Sequence, residues 1–345
     1  MTALADPTPQ PVDPFEDSAA GLVGSTPRLI SPSPRVVEPV GTTAPGTDSV
    51  PSPSAASVSH LGRWDAPSCP TTGGRMNHQP GVVVIGSELT PEQVADVAIG
   101  HATVALSGNE VLERLARARA VVDDALATGV PTYGLNRGLG PLRDSEVPDE
   151  LMADFQRFVI VSHAAAIGEP LSRTEGRAAL LARINTLARG ASGASEALFR
   201  GLFDLLRLDV IPVIPDQGSV GAGDLSQMAA IGLVLIGSGR AWLPGQDEIV
   251  PGAVALAAAG LAPVQLAAKD CLALVGANAL SVATAALTQR RSVLLAEGAD
   301  LVAALTVEAL GANLSPFDAR ALTARPLPGQ QASGSRIRTA LAGGD

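Results

Sequence analysis

The chain has 345 residues, a formal net charge of −10, four histidines and two cysteines. That acidic balance argues against a phosphate-backbone partner, which wants clustered Lys and Arg, so no nucleic acid is expected. Cys69 and Cys271 can build neither a disulfide framework nor a thiolate site, and His60, His78, His101 and His163 lack a second ligand at metal spacing; no metal and a reducing cytoplasm are expected.

From Met1 to Pro80 the chain is crowded with Pro, Ser, Thr and Gly, and Leu29, Ile30, Val36 and Val37 show no period. Such a stretch cannot bury enough surface to offset an ordering entropy of about 1–2 kcal/mol per residue, so residues 1–81 are read as a disordered tail. Two alternatives stand for it: a tail with no task, or an untranslated stretch ahead of a start at Met76. No export signal is visible, and the early acids Asp6, Asp13, Glu16 and Asp17 fit an organelle presequence poorly. The folded body is expected over 82–345.

Thr90 as N-cap, Pro91 at the first helical position and Gln93 three residues on predict a short helix to about Ile99. Ser107 and Glu110 predict a capping box for the next helix, whose apolar face runs through Val111, Leu115, Ala118, Val122 and Ala125 and ends by Gly129. A loop with three glycines, Tyr133 to Gly140, contains the protein's single tyrosine. Helix is then expected from about Glu150 to Ile167, and again from a Ser172–Glu175 capping box to Arg189, with Gly190 as the stop. A further helix starts at Ser195 and runs to about Arg207. Pro212 and Pro215 exclude a central strand from the apolar piece that follows.

Gly218-Ser219-Val220-Gly221-Ala222-Gly223-Asp224 is a turn opening a helix over Leu225 to about Ile236. A helix start favours negative charge, but no Lys-Ser or Lys-Thr follows the glycines, so a phosphate loop is disfavoured; an anion site and a plain tight turn remain as readings. Ile249 to Ala268 is uncharged and long enough to span a bilayer, yet Pro251, Gly252, Gly260 and Pro263 break it. A buried helix hairpin is preferred there, with no membrane expected. The nearly continuous helix formers from Val254 to Leu310 imply a bundle whose faces are covered on several sides, by other subunits among them.

Several separate motifs, in order, resemble the aromatic amino acid ammonia-lyases, with histidine ammonia-lyase closest in feel. Tyr133 to Gly140 is similar to that family's Tyr-Gly-Val-Asn-Thr-Gly-Phe-Gly loop, and Ser162 to Leu171 to its Ser-His-Ala-Ala-Gly-Val-Gly-Glu-Pro-Leu stretch. Arg183 to Gly190, Ala299 to Asp318 and Arg325 to Gln330 follow as the family has them. The resemblance implies a mainly α fold, the long-helix bundle of the ammonia-lyase (fumarase/aspartase-like) type. It implies Tyr133 as a general base toward an amino-acid-like small molecule, which a tyrosine of ordinary pKa about 10 can be only when nearby donors or charge lower it. It implies His163 as a pocket or proton-relay residue, and Asn136, Gly138, Gly140 and Asn278 as pocket residues.

Departures from the family pattern sit at the electrophile. Family members make methylidene-imidazolone by cyclising an Ala-Ser-Gly tripeptide, but here Ala222 is followed directly by Gly223, so Gly221, Ala222, Gly223 and Asp224 form a degenerate loop. Ser219 and Ser226 are followed by Val220 and Gln227, which lack the unhindered glycine nitrogen that cyclisation needs, and Ala191-Ser192-Gly193 reads as a helix connection. Gly276 stands where the family has an electrophile-supporting asparagine, with Asn278 two residues on. No cofactor is expected. The chain also ends before the family's C-terminal portion with its carboxylate-binding arginine, so a homo- or hetero-oligomer is expected, with a separately encoded partner for the missing half. The alternative is a non-catalytic scaffold subunit or a degenerate paralogue.

Overall fold

A computed structural model describes residues 81–343. The expected tail therefore lies outside the described residues, apart from Gly81. The described chain opens on a strand, β1 (Gly81–Ile85), and places α1 (Pro91–Ala98) between it and a parallel partner, β2 (Ala102–Leu106). Then come α2 (Glu110–Ala127), α3 (Met152–His163), β3 (Ile167–Pro170), α4 (Arg173–Leu187), α5 (Glu196–Arg207), β4 (Ile211–Pro212) and β5 (Pro215–Gln217). The rest is α6 (Leu225–Leu235), β6 (Arg240–Trp242), β7 (Ile249–Pro251), α7 (Gly252–Ala258), α8 (Asp270–Val275), α9 (Ala279–Leu310), α10 (Ala319–Ala324) and α11 (Pro328–Ala340).

Helices carry the core. α4 lies along α9, α1 packs on both, and α5 packs on α4. Leu180, Leu181, Ile184 and Leu187 of α4 meet Leu198, Leu202 and Leu205 of α5 in one fully buried cluster. The middle of α4 is buried around most of its circumference, Arg183 included, as in a helix covered on several sides. Thr90 and Ser172 form complete capping boxes with Gln93 and Glu175, as the sequence predicts at those two helix starts. The proline-bearing segment contributes only β4, which pairs on one side with β6, and β5, which pairs with β3.

Four expectations change. Ser107 caps nothing: β2 runs to Leu106, the chain turns at Gly108, and Asn109 is the residue that precedes α2, without a side-chain cap bond. The helix expected to Ile167 ends at His163, because Ile167 pairs with Gln217 as a strand. The hairpin expected over 249–268 is β7, the short α7 and irregular chain, since its glycines and prolines interrupt helix. Finally, β1 and β2 are strands where none is expected from the sequence. α9, 32 residues long, is apolar and long enough to cross a membrane by length and composition; its N-terminal part instead buries Ala279, Leu280, Ala283 and Leu287 in the core.

Candidate active site

The tyrosine loop is held by its own hydrogen bonds. The Thr132 carbonyl accepts from the amides of Leu135, Asn136 and Arg137, while the Asn136 side chain accepts from Thr132 N at 2.7 Å and donates to Val130 O at 3.0 Å. Asn136, expected in the pocket, thus spends its amide bracing the loop. Gly138 is needed because a Cβ there would meet the Leu142 carbonyl oxygen at 2.4 Å, and Gly134, at φ +65°, lets the loop press against Leu272 of α8. On this base the Tyr133 hydroxyl accepts the Gly140 amide at 3.0 Å. The residue stays 49% exposed. A main-chain N–H aimed at a phenolic oxygen is a contact that strengthens when that oxygen carries negative charge.

His163 closes α3. Its Nδ1 lies 2.8 Å from the Val159 carbonyl and 3.3 Å from Ser162 Oγ. A carbonyl oxygen only accepts, so this contact favours a proton on Nδ1, and in the neutral ring of that tautomer Nε2 is the acceptor nitrogen. Three residues on, Ala166 abuts Gly218, where an added Cβ would come within 2.9 Å of the Ala166 methyl. The β3–β5 pairing therefore sets the chain after His163 beside the start of the glycine-rich bend.

That bend is fixed at its far end. Gly221 and Gly223 take φ of +84° and +96°, Ala222 is exposed, and Val220 is 90% exposed. Asp224, only 1% exposed, donates its amide to Ala277 O at 2.7 Å, and its carboxylate accepts from Ser281 N at 2.9 Å and Ser281 Oγ at 2.7 Å. A Cβ on Gly223 would lie 3.8 Å from Asn278 Oδ1. Bend, Ala164–Ala166 segment and α8–α9 junction thus converge. The Tyr133 loop touches the same α8, six residues long, through Leu272. Among the described residues no side-chain hydrogen bond of Tyr133 or His163 reaches the bend.

The residues at the bend do not fit the family's electrophile. Cyclisation joins a glycine nitrogen to the carbonyl two residues earlier, across a serine that then loses water, and no serine stands between Ala222 and Gly223. Ser219 is tied into the bend through Gly223 O and Gly221 N.

Sequence reading passed over three groups that organise these elements. Asp270 is fully buried and accepts from Ser195 N, Ser195 Oγ and Ala267 N at 2.8, 2.6 and 2.8 Å, joining the start of α5 to α8; burial pushes its carboxyl up against the pull of those donors. Ser281 receives Asp224. Arg183, read only as part of a motif, lines a cavity of about 700 Å³ between α1, α4 and α9, as does Asn278. A lone charge inside an apolar run is the available signal for Arg183, whereas Asp270 follows Lys269 and reads as one half of an ordinary charged pair.

Residues 89–345 match the aromatic amino acid lyase family. The chain is similar to the histidine ammonia-lyase of Anaeromyxobacter sp. (strain K), 42% identical over 266 residues that cover 75% of this chain and 52% of the relative. With that of Myxococcus xanthus it shares 40% over 264 residues, covering 76% and 51%. Among solved structures, Trypanosoma cruzi histidine ammonia-lyase superposes with a TM-score of 0.70 at 30% identity, covering 74% of this chain and 50% of that one. Treponema denticola ergothionase, solved with desmethyl-ergothioneine sulfonic acid, gives 0.70 at 31%, covering 74% and 51%. The chain spans about half the length of the relatives it matches. The motif order, the helical fold and these likenesses agree: the chain belongs to the aromatic amino acid lyase family.

Proposed function

We propose that the chain is one component of an oligomeric lyase that eliminates an amine from an amino-acid-like substrate, with Tyr133 as the base. The tyrosine oxygen takes the Cβ proton, the C–H electron pair forms the Cα–Cβ double bond, and the C–N pair leaves with nitrogen as ammonia. His163, with Nε2 free to accept, is a proton relay or pocket residue; Gly140 holds the base, Asn136 and Gly138 shape its loop, and Asn278 reaches toward Gly223. This chain makes no methylidene-imidazolone of its own. A neighbouring chain, a second copy or a separately encoded one, supplies the groups the half-exposed tyrosine lacks. The working compartment is the cytoplasm, where the free thiol of Cys271 stays reduced.

The observation that carries this reading is the tyrosine itself: its oxygen is fixed by a main-chain donor on a braced loop while its ring remains open to solvent. The scaffold alternative rests on the bend, whose Ala222–Gly223 sequence cannot cyclise. Ammonia release from L-histidine and L-phenylalanine, by the chain alone and with a co-expressed partner, tests the first reading. Tyr133→Phe is expected to lower the rate by about 10²–10⁴; an unchanged rate removes Tyr133 as base. No release under either condition favours the scaffold. An intact mass lower by two waters would show that the electrophile does form.

A further inference from the structure

We infer that the cavity between α1, α4 and α9 is a binding site for a small monocarboxylate with an apolar body. Arg183 is the group that demands an occupant. It is 4% exposed on α4, its Nε is buried without a hydrogen-bond partner, and no carboxylate among the described residues pairs with it. Burial pulls its guanidinium down to about 10, which still leaves it charged at neutral pH. A buried cation left without a counter-charge is costly, and one anion removes that cost.

The rest of the lining says which anion. Asn185 is already spent on Gly86 N and Ser87 O, and Thr186 on Ala182 O, so neither competes for the guanidinium. Apart from the exposed Asn278 and Gln289, the remaining side chains of the walls are hydrocarbon, Leu89, Val94, Val282 and Ala286 among them. About 700 Å³ is the size of a small-molecule site, room for a body well beyond acetate. One positive charge matches one negative charge. A planar carboxylate takes the guanidinium fork in two parallel hydrogen bonds, whereas phosphate would bring a second charge and further oxygens against apolar walls. The Asn278 amide, on the rim, makes no side-chain hydrogen bond among the described residues and is available to a second polar group of the ligand. This site stands whether or not Tyr133 is a base.

Calorimetric titration of the full chain with 3-phenylpropanoate, its neutral amide, acetate and inorganic phosphate tests the proposal. The phenyl acid is expected to bind at least about tenfold more tightly than the other three. Arg183→Gln is expected to lose that preference. Because this buried variant can fail to fold, Val282→Trp is the second probe: the residue is largely exposed on the cavity wall, so the fold tolerates the ring while the ring fills the space, and binding falls by about tenfold or more. Equal binding of acid and amide, equal binding of phosphate, no binding of the acid, or parent-like binding by folded Val282→Trp overturns the proposal. So does a fall in the assembly mass of folded Arg183→Gln, which would assign the cavity to a carboxylate from a second chain.

Discussion

Cys271 illustrates how burial decides chemistry for one side chain. It is fully buried, its amide bonds the equally buried Gln156 Oε1 at 3.1 Å, and desolvation pushes its thiol up to about 12 from 9.0. The native chain at pH 8 is therefore expected to leave Cys271 unalkylated by iodoacetamide, and the denatured chain to be labelled there, as peptide mapping would read. The linkage has a definite sign. Below pH 9 the thiol is neutral in both states and its contribution is whole; as pH rises toward about 12 the unfolded chain loses a proton the folded chain keeps, and stability falls. Beside it, Asp270 satisfies the buried main-chain amide and hydroxyl of Ser195 and the part-buried amide of Ala267. Asp270→Ala would strand those donors, and a loss of about 3 kcal/mol is expected in denaturant unfolding at unchanged m-value.

Among the elements, capping explains what was legible and what was not. Ser172 Oγ accepts the Glu175 amide, and the Glu175 carboxylate accepts the Ser172 amide in return, a pattern local in sequence and so readable there. Ser172→Ala is expected to cost about 1 kcal/mol. Ser107 and Glu110 have the same spacing, but a strand that ends at Leu106 and a turn at Gly108 claim the residues first, and tertiary pairing overrides the local signal. Asp224 shows the opposite failure. Its sequence neighbours mark it as the last residue of a glycine-rich bend, while its carboxylate holds Ser281, 57 positions away, on the first turn of α9. Asp224→Ala is expected to cost about 1–3 kcal/mol and to speed amide exchange at Ser281. Tyr133 is legible from its motif, whereas the Gly140 amide on its hydroxyl is a matter of loop geometry that residue identities alone do not give.

For the molecule as a whole, α9 divides into two environments. Its first turns lie in the core, so the segment reads as helix from either propensity or apolar content. Farther on, Leu294, Leu301 and Leu305 recur at intervals of seven and four, Leu295 and Val302 at seven, and all five are exposed. Residues spaced this way share a helix face, and sequence alone could say that the face is apolar but not what covers it. Burying one leucine fully stabilises by about 1.5–3 kcal/mol, so a stripe of five, met by a like stripe, favours association by several kcal/mol after ordering costs. Light scattering at micromolar concentration is therefore expected to give a mass above that of one chain. Leu295→Glu combined with Leu305→Glu is expected to lower that mass while far-UV circular dichroism stays the same, because neither side chain is part of the monomer's core. A parent chain that is monomeric under those conditions would refute self-association through α9 and leave a different chain as the cover for this face.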